Sequence, residues 1–159
     1  MIAKIKDLLG VKNNKHESNF IEFRDGLGNF KLMHPREWKY EPEMAYYEGQ
    51  YSICFEGREG VKFCVSLESF EKGDFLKLGK AKLEDQKSSG IGNVREGRFK
   101  DEVCLVKEFI TKSGKNKIKG KTLLVAKHKK LIEISEYWPE KNENAHRKTL
   151  DKVEDSLDF

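Results

Sequence analysis

Hydrophobic and polar residues alternate through the middle of the chain, and this period of two is typical of β-strands with one buried face. The clearest runs are Tyr51–Phe55 and Val61–Leu67, which flank the turn-forming stretch Gly57–Gly60. Together they predict a β-hairpin. A second hairpin is predicted for Phe20–Arg24 and Asn29–Met33, which a glycine-containing turn joins.

The C-terminal half predicts a meander of four more strands, with a tight turn at Ser113–Asn116. These strands are Val94–Phe99, Val103–Thr111, Lys117–Ala126 and Leu131–Tyr137. Pro35 has no N–H for a strand ladder, so it is expected to stop the second strand. The stretch Trp38–Gly49 that follows is rich in aromatic residues, and we expect it to be an irregular connection.

Apolar residues recur at helical spacing at both ends of the chain. Ile2–Leu9 predicts a short helix that Gly10 ends and that packs on the domain. Pro139 precedes a predicted final helix, Asn142–Leu157, whose apolar face carries Leu150, Val153 and Leu157.

A central helix is predicted from the cap residue Asp74 to about Lys87, although the alternation Leu76-Lys77-Leu78 leaves a strand open. Strands with helices between and after them indicate an α+β fold. We expect a mostly antiparallel sheet of five to seven strands flanked by helices. Residues 1–19 would form a helix and loop, and residues 20–159 a single domain.

Composition describes a mildly basic globular chain of 159 residues. It has 31 Lys and Arg against 27 Asp and Glu, a net charge of +4, which by itself does not indicate a nucleic-acid-binding protein. No apolar run approaches a membrane span, and no signal peptide is recognised. Two glutamines among many lysines and glutamates suggest a thermophilic source.

The cysteines and histidines give no catalytic or metal-binding pattern. Cys54, Cys64 and Cys104 are an odd number without C-x-x-C spacing, so we expect three reduced, largely buried thiols and a cytoplasmic location. Cys54 and Cys64 point away from the apolar face of their hairpin, which leaves a thiol redox pair as the alternative. No hydrolase, zinc-protease, P-loop or calcium motif is present, so we expect no enzyme activity, cofactor or metal.

The densest chemical signal is an aromatic and acidic stretch, Trp38–Tyr51. Tyrosine and tryptophan give large contact areas with a polar end, so this stretch predicts a surface for a partner protein. Its candidate residues are Trp38, Tyr40, Glu41, Glu43, Tyr46 and Tyr47. The alternative is that these aromatic side chains only pack against the edge of the sheet.

A second signal is a basic region, Lys112–Lys130, that contains no acidic residue. Its candidate polyanion-binding residues are Lys117, Lys119, Lys121 and Lys127. The region is split between two turns at opposite ends of one strand, and its lysines have no interleaved aromatic residues. We therefore expect at most weak nucleic-acid binding, with acidic residues such as Glu133, Glu136 or those of the last helix available to neutralise it.

Three parts of the chain resemble the PsbP-like proteins, which include the photosystem subunit PsbP and a nuclear protein that binds the GTPase Ran. Asn29–Trp38 is similar to their strand–Pro–x–x–Trp opening, and Lys130–Tyr137 to their last strand. The end, Asp155–Phe159, resembles their S-x-F tail with one extra residue. The resemblance implies an α/β/α sandwich and a binding or assembly role without enzyme activity.

The sequence therefore predicts a non-enzymatic protein that contacts an unidentified macromolecule through the stretch Trp38–Tyr51. The first alternative is a weak polyanion binder that uses Lys112–Lys130. The second is a protein that binds a small ligand in a groove beside the sheet.

Overall fold

The computed structural model describes residues 19–43, 50–71, 73–85 and 92–159. The chain forms two compact units, one of Met1–Arg36 with Asp151–Phe159 and one of Glu37–Leu150. The helix predicted over Ile2–Leu9 lies outside the described residues. The single domain expected over residues 20–159 stays a prediction.

The first unit contains the predicted N-terminal hairpin. Strands β1 (Phe20–Arg24) and β2 (Lys31–Pro35) pair antiparallel. Asp25 in the turn is buried, and its carboxylate accepts a hydrogen bond from the backbone N–H of Asn29 at 3.2 Å. Strand β2 begins two residues later than predicted and includes Pro35, which a strand end tolerates because its partner Phe20 is also terminal.

The chain's end is tied to the same hairpin within this unit. The Ser156 hydroxyl accepts a hydrogen bond from the backbone N–H of Met33 at 2.8 Å. The backbones of Lys31 and Asp158 exchange two hydrogen bonds of 2.9 Å. The serine of this tail therefore satisfies backbone groups of β2.

The second unit is built on a seven-stranded antiparallel sheet of order β3-β4-β5-β9-β8-β7-β6. Its strands are β3 (Lys39–Glu43), β4 (Tyr51–Glu56), β5 (Lys62–Ser69), β6 (Val94–Phe99), β7 (Glu102–Ser113), β8 (Asn116–Lys127) and β9 (Lys130–Pro139). The predicted hairpin β4–β5 and the meander β6–β9 are confirmed. The two groups join where β5 pairs with β9, a contact between distant parts of the sequence.

Strand β3 corrects the prediction that Trp38–Gly49 is wholly irregular. Lys39–Glu43 pairs with β4 at the edge of the sheet, although it contains a proline and two glutamates, which strands disfavour. An edge strand needs only one paired side, so Pro42 is compatible with this position.

Helix α1 (Phe75–Asp85) packs on one face of this sheet, which we call the α1 face. Asp74 caps it, since its carboxylate accepts hydrogen bonds from the backbone N–H groups of Leu76 at 3.1 Å and Lys77 at 3.4 Å. A Cβ at Gly79 would press on Leu105 and Leu124, so glycine allows the helix to lie close to the strands. The strand alternative for this region is excluded.

Helix α2 (Glu143–Ser156) contacts the opposite face of the sheet, which we call the α2 face, through its first turns. Its predicted apolar residues Leu150, Val153 and Leu157 are all fully buried. With a helix on each face of the seven-stranded sheet, the predicted α+β sandwich is confirmed. Among the described residues, no helix is long and apolar enough to cross a membrane.

Candidate functional site

Helix α1 covers only one end of its sheet face, and the other end is an open groove of about 960 Å³. The strands β3, β4, β5 and β9 form its base, because register places their residues in rows across the face. It is lined by Glu37, Lys39, Glu41, Cys54, Glu56, Gly57, Arg58, Gly60, Lys62, Cys64, Thr111, Ile118 and Tyr137. We call this region the groove.

The groove floor is aromatic and partly apolar around Tyr137, which is half-buried beside Ile118. The ring of Phe109 packs edge-on against Tyr137 at 5.7 Å between centroids. A Cβ at Gly120 would overlap the Phe109 ring, so glycine makes room for this pair. Burial raises the pKa of Tyr137, so at neutral pH its phenol is a hydrogen-bond donor.

The groove rim carries three acidic and three basic side chains: Glu37, Glu41, Glu56, Lys39, Arg58 and Lys62. Lys39, Glu56 and Lys62 lie directly opposite one another on neighbouring strands, so the charge alternates in sign across the face. Within the described part of the chain, none of the six side chains forms an ion pair or a side-chain hydrogen bond. Their charges are therefore exposed to whatever occupies the groove.

The two groove cysteines correct the prediction of three reduced, buried thiols. Cys54 and Cys64 are register partners on β4 and β5 and form a disulfide, with 4.1 Å between their Cα atoms. Both are half-buried, whereas Cys104 is not disulfide-bonded and is fully buried. Alternation predicted that the first two would be neighbours, but it carries no information on oxidation state.

The predicted aromatic surface is divided by the sheet. Trp38 is buried, and its indole lies against Gly57, where any Cβ would overlap it. Tyr40 is 51% exposed but lies on the α2 face, with its ring 5.7 Å from Phe55. Glu41 lines the groove.

The structure does not describe the side chains of the other three candidate residues of that stretch. Tyr46 and Tyr47 lie outside the described residues, and Glu43 is described only as a backbone position in β3. Their role in partner binding therefore stays a prediction.

The candidate lysines lie mostly beside carboxylates. The Nζ of Lys119 is 2.8 Å from Glu143, that of Lys121 is 3.4 Å from Glu136, and that of Lys127 is 3.9 Å from Glu102. Lys117 is exposed. The final helix and β9 thus supply the carboxylates beside Lys119 and Lys121, as the sequence had suggested, and β7 supplies the one beside Lys127.

On the α2 face these contacts form two groups, Lys119 with Glu143, and Glu136 with Lys121 and Arg147. We call the two groups together the ion-pair network. Glu136 is fully buried and lies 2.8 Å from the Arg147 guanidinium. That guanidinium stacks over the indole of Trp138 at 4.4 Å from the ring centroid, which favours a fixed geometry. A hydrogen bond from Lys119 lowers the pKa of Glu143, and the same bond raises the pKa of Lys119.

No protein-family model and no curated protein sequence matches this chain. Its structure is similar to the solution structure of cyanobacterial PsbP (CyanoP) from Synechocystis sp. PCC 6803, with a TM-score of 0.63 and 13% identity. That match covers 89% of this chain and 92% of the other. The protein has a PsbP-like fold.

A crystal structure from Bacteroides thetaiotaomicron also matches, with a TM-score of 0.58 and 13% identity. That match covers 88% of this chain and 48% of the other. The PsbP-like fold that the opening and closing motifs suggested is thus confirmed. At this level of identity the likeness concerns the fold alone.

Several groove residues were missed by the sequence reasoning, namely Glu37, Glu56, Arg58, Lys62 and Tyr137. A usable signal existed for two of them. The alternation that turned Cys54 and Cys64 away from the apolar face also turns Glu56 and Lys62 that way, since Glu56 lies two residues after Cys54 and Lys62 two residues before Cys64. For metal binding, the described residues contain no cluster of three or more suitable ligands.

Proposed function

We propose that the protein is a non-enzymatic binding protein that holds a polypeptide segment of a partner protein in the groove. The observation that carries this proposal is the set of six rim charges that have no partner within the described residues. Solvated charges around a partly apolar floor are typical of a surface that exchanges water for a partner's groups.

The charge pattern favours a polypeptide over a polyanion. The rim has three carboxylates and three cations, and Lys39, Glu56 and Lys62 alternate along one row. A nucleic acid would meet repulsion from the acidic half, whereas a peptide with both signs of charge pairs with each. The phenol of Tyr137 adds a hydrogen-bond donor for a backbone carbonyl or carboxylate.

Of the candidate residues in the stretch Trp38–Tyr51, Glu41 enters this proposal because it lines the groove. The exposed Tyr40 does not, because it lies on the α2 face. The alternative of polyanion binding through Lys112–Lys130 gains no support, because three of its four candidate lysines lie beside carboxylates. The cytoplasmic location rested on three reduced thiols, and the Cys54–Cys64 disulfide removes that basis.

A photo-crosslinking amino acid placed at Glu41 tests the groove in lysate of the native cells. The matched control position is Glu84, which is exposed on helix α1 and outside the groove. We expect a discrete crosslinked protein from position 41 that is absent from position 84. That product should disappear in a variant with Glu56→Lys and Lys62→Glu, which exchanges two neighbouring rim charges.

Folding of the charge-exchange variant is checked by circular dichroism, because both residues are exposed and the swap keeps the net charge. Equal crosslinking from positions 41 and 84, or a product that survives the exchange, would contradict the assignment of the groove.

A further inference from the structure

We propose that the Cys54–Cys64 disulfide is a thiol-exchange site, which a dithiol reductant opens and an oxidant closes while the fold stays intact. This inference concerns the chemistry of the groove floor and does not depend on which partner occupies the groove. It rests on where the sulfur atoms lie and on what holds the strands together.

The first step is access to the sulfur atoms. Both cysteines are half-buried and line an open groove, so an attacking thiolate reaches them from solvent. A disulfide that only stabilises a fold usually lies in the core, where reduction requires unfolding, whereas exposed disulfides are the labile ones. Cys104 shows the contrast, because its side chain is fully buried.

The second step is the independence of the scaffold from the bond. Strands β4 and β5 pair at six positions, and β5 also pairs with β9 at eight. On the α2 face, Phe55 and Phe63 are register partners and fully buried. Reduction therefore removes one covalent bond from a hairpin that its hydrogen bonds and core contacts still hold, and the two thiols remain adjacent.

The exchange itself balances with a dithiol as the co-reactant. One thiolate of the reductant attacks Sγ of one cysteine and forms a mixed disulfide, and the other cysteine leaves as a thiolate with the electron pair of the S–S bond. The second thiolate of the reductant then attacks the sulfur atom of the mixed disulfide that belongs to the reductant. This releases the remaining cysteine and closes the disulfide of the reductant, so two electrons and two protons pass to the protein.

The charges around the pair make the two sulfur atoms unequal. Cys54 has Glu41 directly opposite on β3 and Glu56 two residues further along its own strand, whereas Cys64 has Lys62 two residues before it on the same face. Acidic neighbours disfavour a thiolate and a basic neighbour favours it. Cys64 is therefore the leaving thiolate, and the mixed disulfide forms on Cys54.

The other described groups on these rows do not reverse that order. Ser135 lies opposite Cys64, and Lys39 and Tyr137 lie in the row of Glu56 and Lys62. Glu133 lies in the adjacent row on the other side of the disulfide. Lys39 lies on β3 in the row next to Glu41, diagonally across from Cys54, and is therefore further from Cys54 than Glu41 is. Glu41 in the same row as the disulfide remains the nearest charge to Cys54.

The test uses the air-oxidised full-length protein with dithiothreitol as the reductant. Free thiols are counted with time in native buffer and in guanidinium chloride, while far-UV circular dichroism follows the fold. We expect the native rate to lie within about a hundredfold of the denatured rate, with an unchanged spectrum and full reoxidation by oxidised glutathione. A Cys104→Ser variant simplifies the count, and peptide mapping of the wild-type protein gives the same result if that variant folds poorly.

Three results would overturn the proposal: a native rate slower than that limit, loss of the fold during reduction, or two thiols that oxidised glutathione does not join. The leaving group is tested by limiting alkylation of the reduced protein, in which we expect Cys64 to react before Cys54. Lys62→Gln should reduce the difference in alkylation rate between Cys64 and Cys54, and Lys80→Gln on helix α1 should leave that difference unchanged. Earlier alkylation of Cys54 would contradict the assigned direction of attack.

Discussion

The groove and the ion-pair network are built on the same seven strands but treat their charges in opposite ways. In the network, buried Glu136 lies beside Lys121 and Arg147, and Glu143 lies beside Lys119. In the groove, six charges line the rim without an ion pair among the described residues. Helix α2 supplies counter-charges to one face, while helix α1 stops short of the groove end of the other.

The difference separates stabilising charges from recognition charges. A buried carboxylate loses its hydration and must be paired, so its neighbours become part of the fold. An exposed charge keeps its hydration and contributes little to stability, which leaves it available for a partner. The same residue types therefore have different consequences according to what covers them.

The largest expected effect comes from removing the central carboxylate of the network. We expect Glu136→Gln to lower the free energy of unfolding by about 3 kcal/mol, because it leaves two cations without their counter-charge. The side chains of Lys121 and Arg147 remain 16% and 21% exposed, which places the estimate at the low end for such pairs. Urea denaturation measures it.

The matched control is Glu56→Gln in the groove, which we expect to change stability by less than about 0.5 kcal/mol. Equal effects of the two substitutions would erase the distinction between the faces.

A smaller effect is expected from the pH dependence of Glu143. Because the hydrogen bond from Lys119 lowers its pKa below the ordinary value of 4.5, the stabilisation is present above that value and is lost as the pH falls through the folded-state pKa. We therefore expect stability to fall more steeply below about pH 4.5 in the wild type than in Glu143→Gln. Thermal melts in a series of acidic buffers compare the two profiles.

The control for that series is Glu41→Gln, whose acid profile should follow the wild type, since Glu41 lies outside the network. A Glu143→Gln profile as steep as that of the wild type would show that the Lys119 contact adds nothing in acid.

The smallest expected effect concerns polyanions. We expect weak heparin or DNA binding that salt abolishes, and Lys117→Glu should reduce it severalfold, because Lys117 is exposed. Lys119→Gln should matter less, since Glu143 already neutralises that charge. Filter binding at two salt concentrations measures both variants. Tight binding at physiological salt that Lys117→Glu with Lys119→Glu abolishes would favour the polyanion alternative.

Local signals in the sequence predicted most elements of the fold. The alternation in β4 and β5, the cap at Asp74 and the turn at Ser113–Asn116 each depend on residues close together in the chain. Strand β3 was missed because Lys39–Glu43 contains a proline and two glutamates, residue types that strands disfavour. Pairing with β4 made it a strand, and pairing is a tertiary event.

The candidate site was less predictable than the fold. The sequence selected Glu41 and brought Cys54 and Cys64 together, but it grouped Trp38, Tyr40 and Glu41 as one surface. The structure buries the first and sends the other two to opposite faces. Adjacent strand residues point to opposite sides of a sheet, so a dense stretch of aromatic residues in a strand is not one surface.

By itself, the sequence determined which residues form strands and helices and which face of each is apolar, since both follow from spacing and capping within a few residues. It also carried the short motifs of a PsbP-like fold. Only the tertiary structure decided which charges are neutralised, because Glu136 meets Arg147 and Lys119 meets Glu143 through contacts between a strand and the last helix. The length and position of helix α1 likewise decided which end of the sheet stays open as the groove. Such contacts depend on how elements distant in the chain pack, and local periodicity does not encode that.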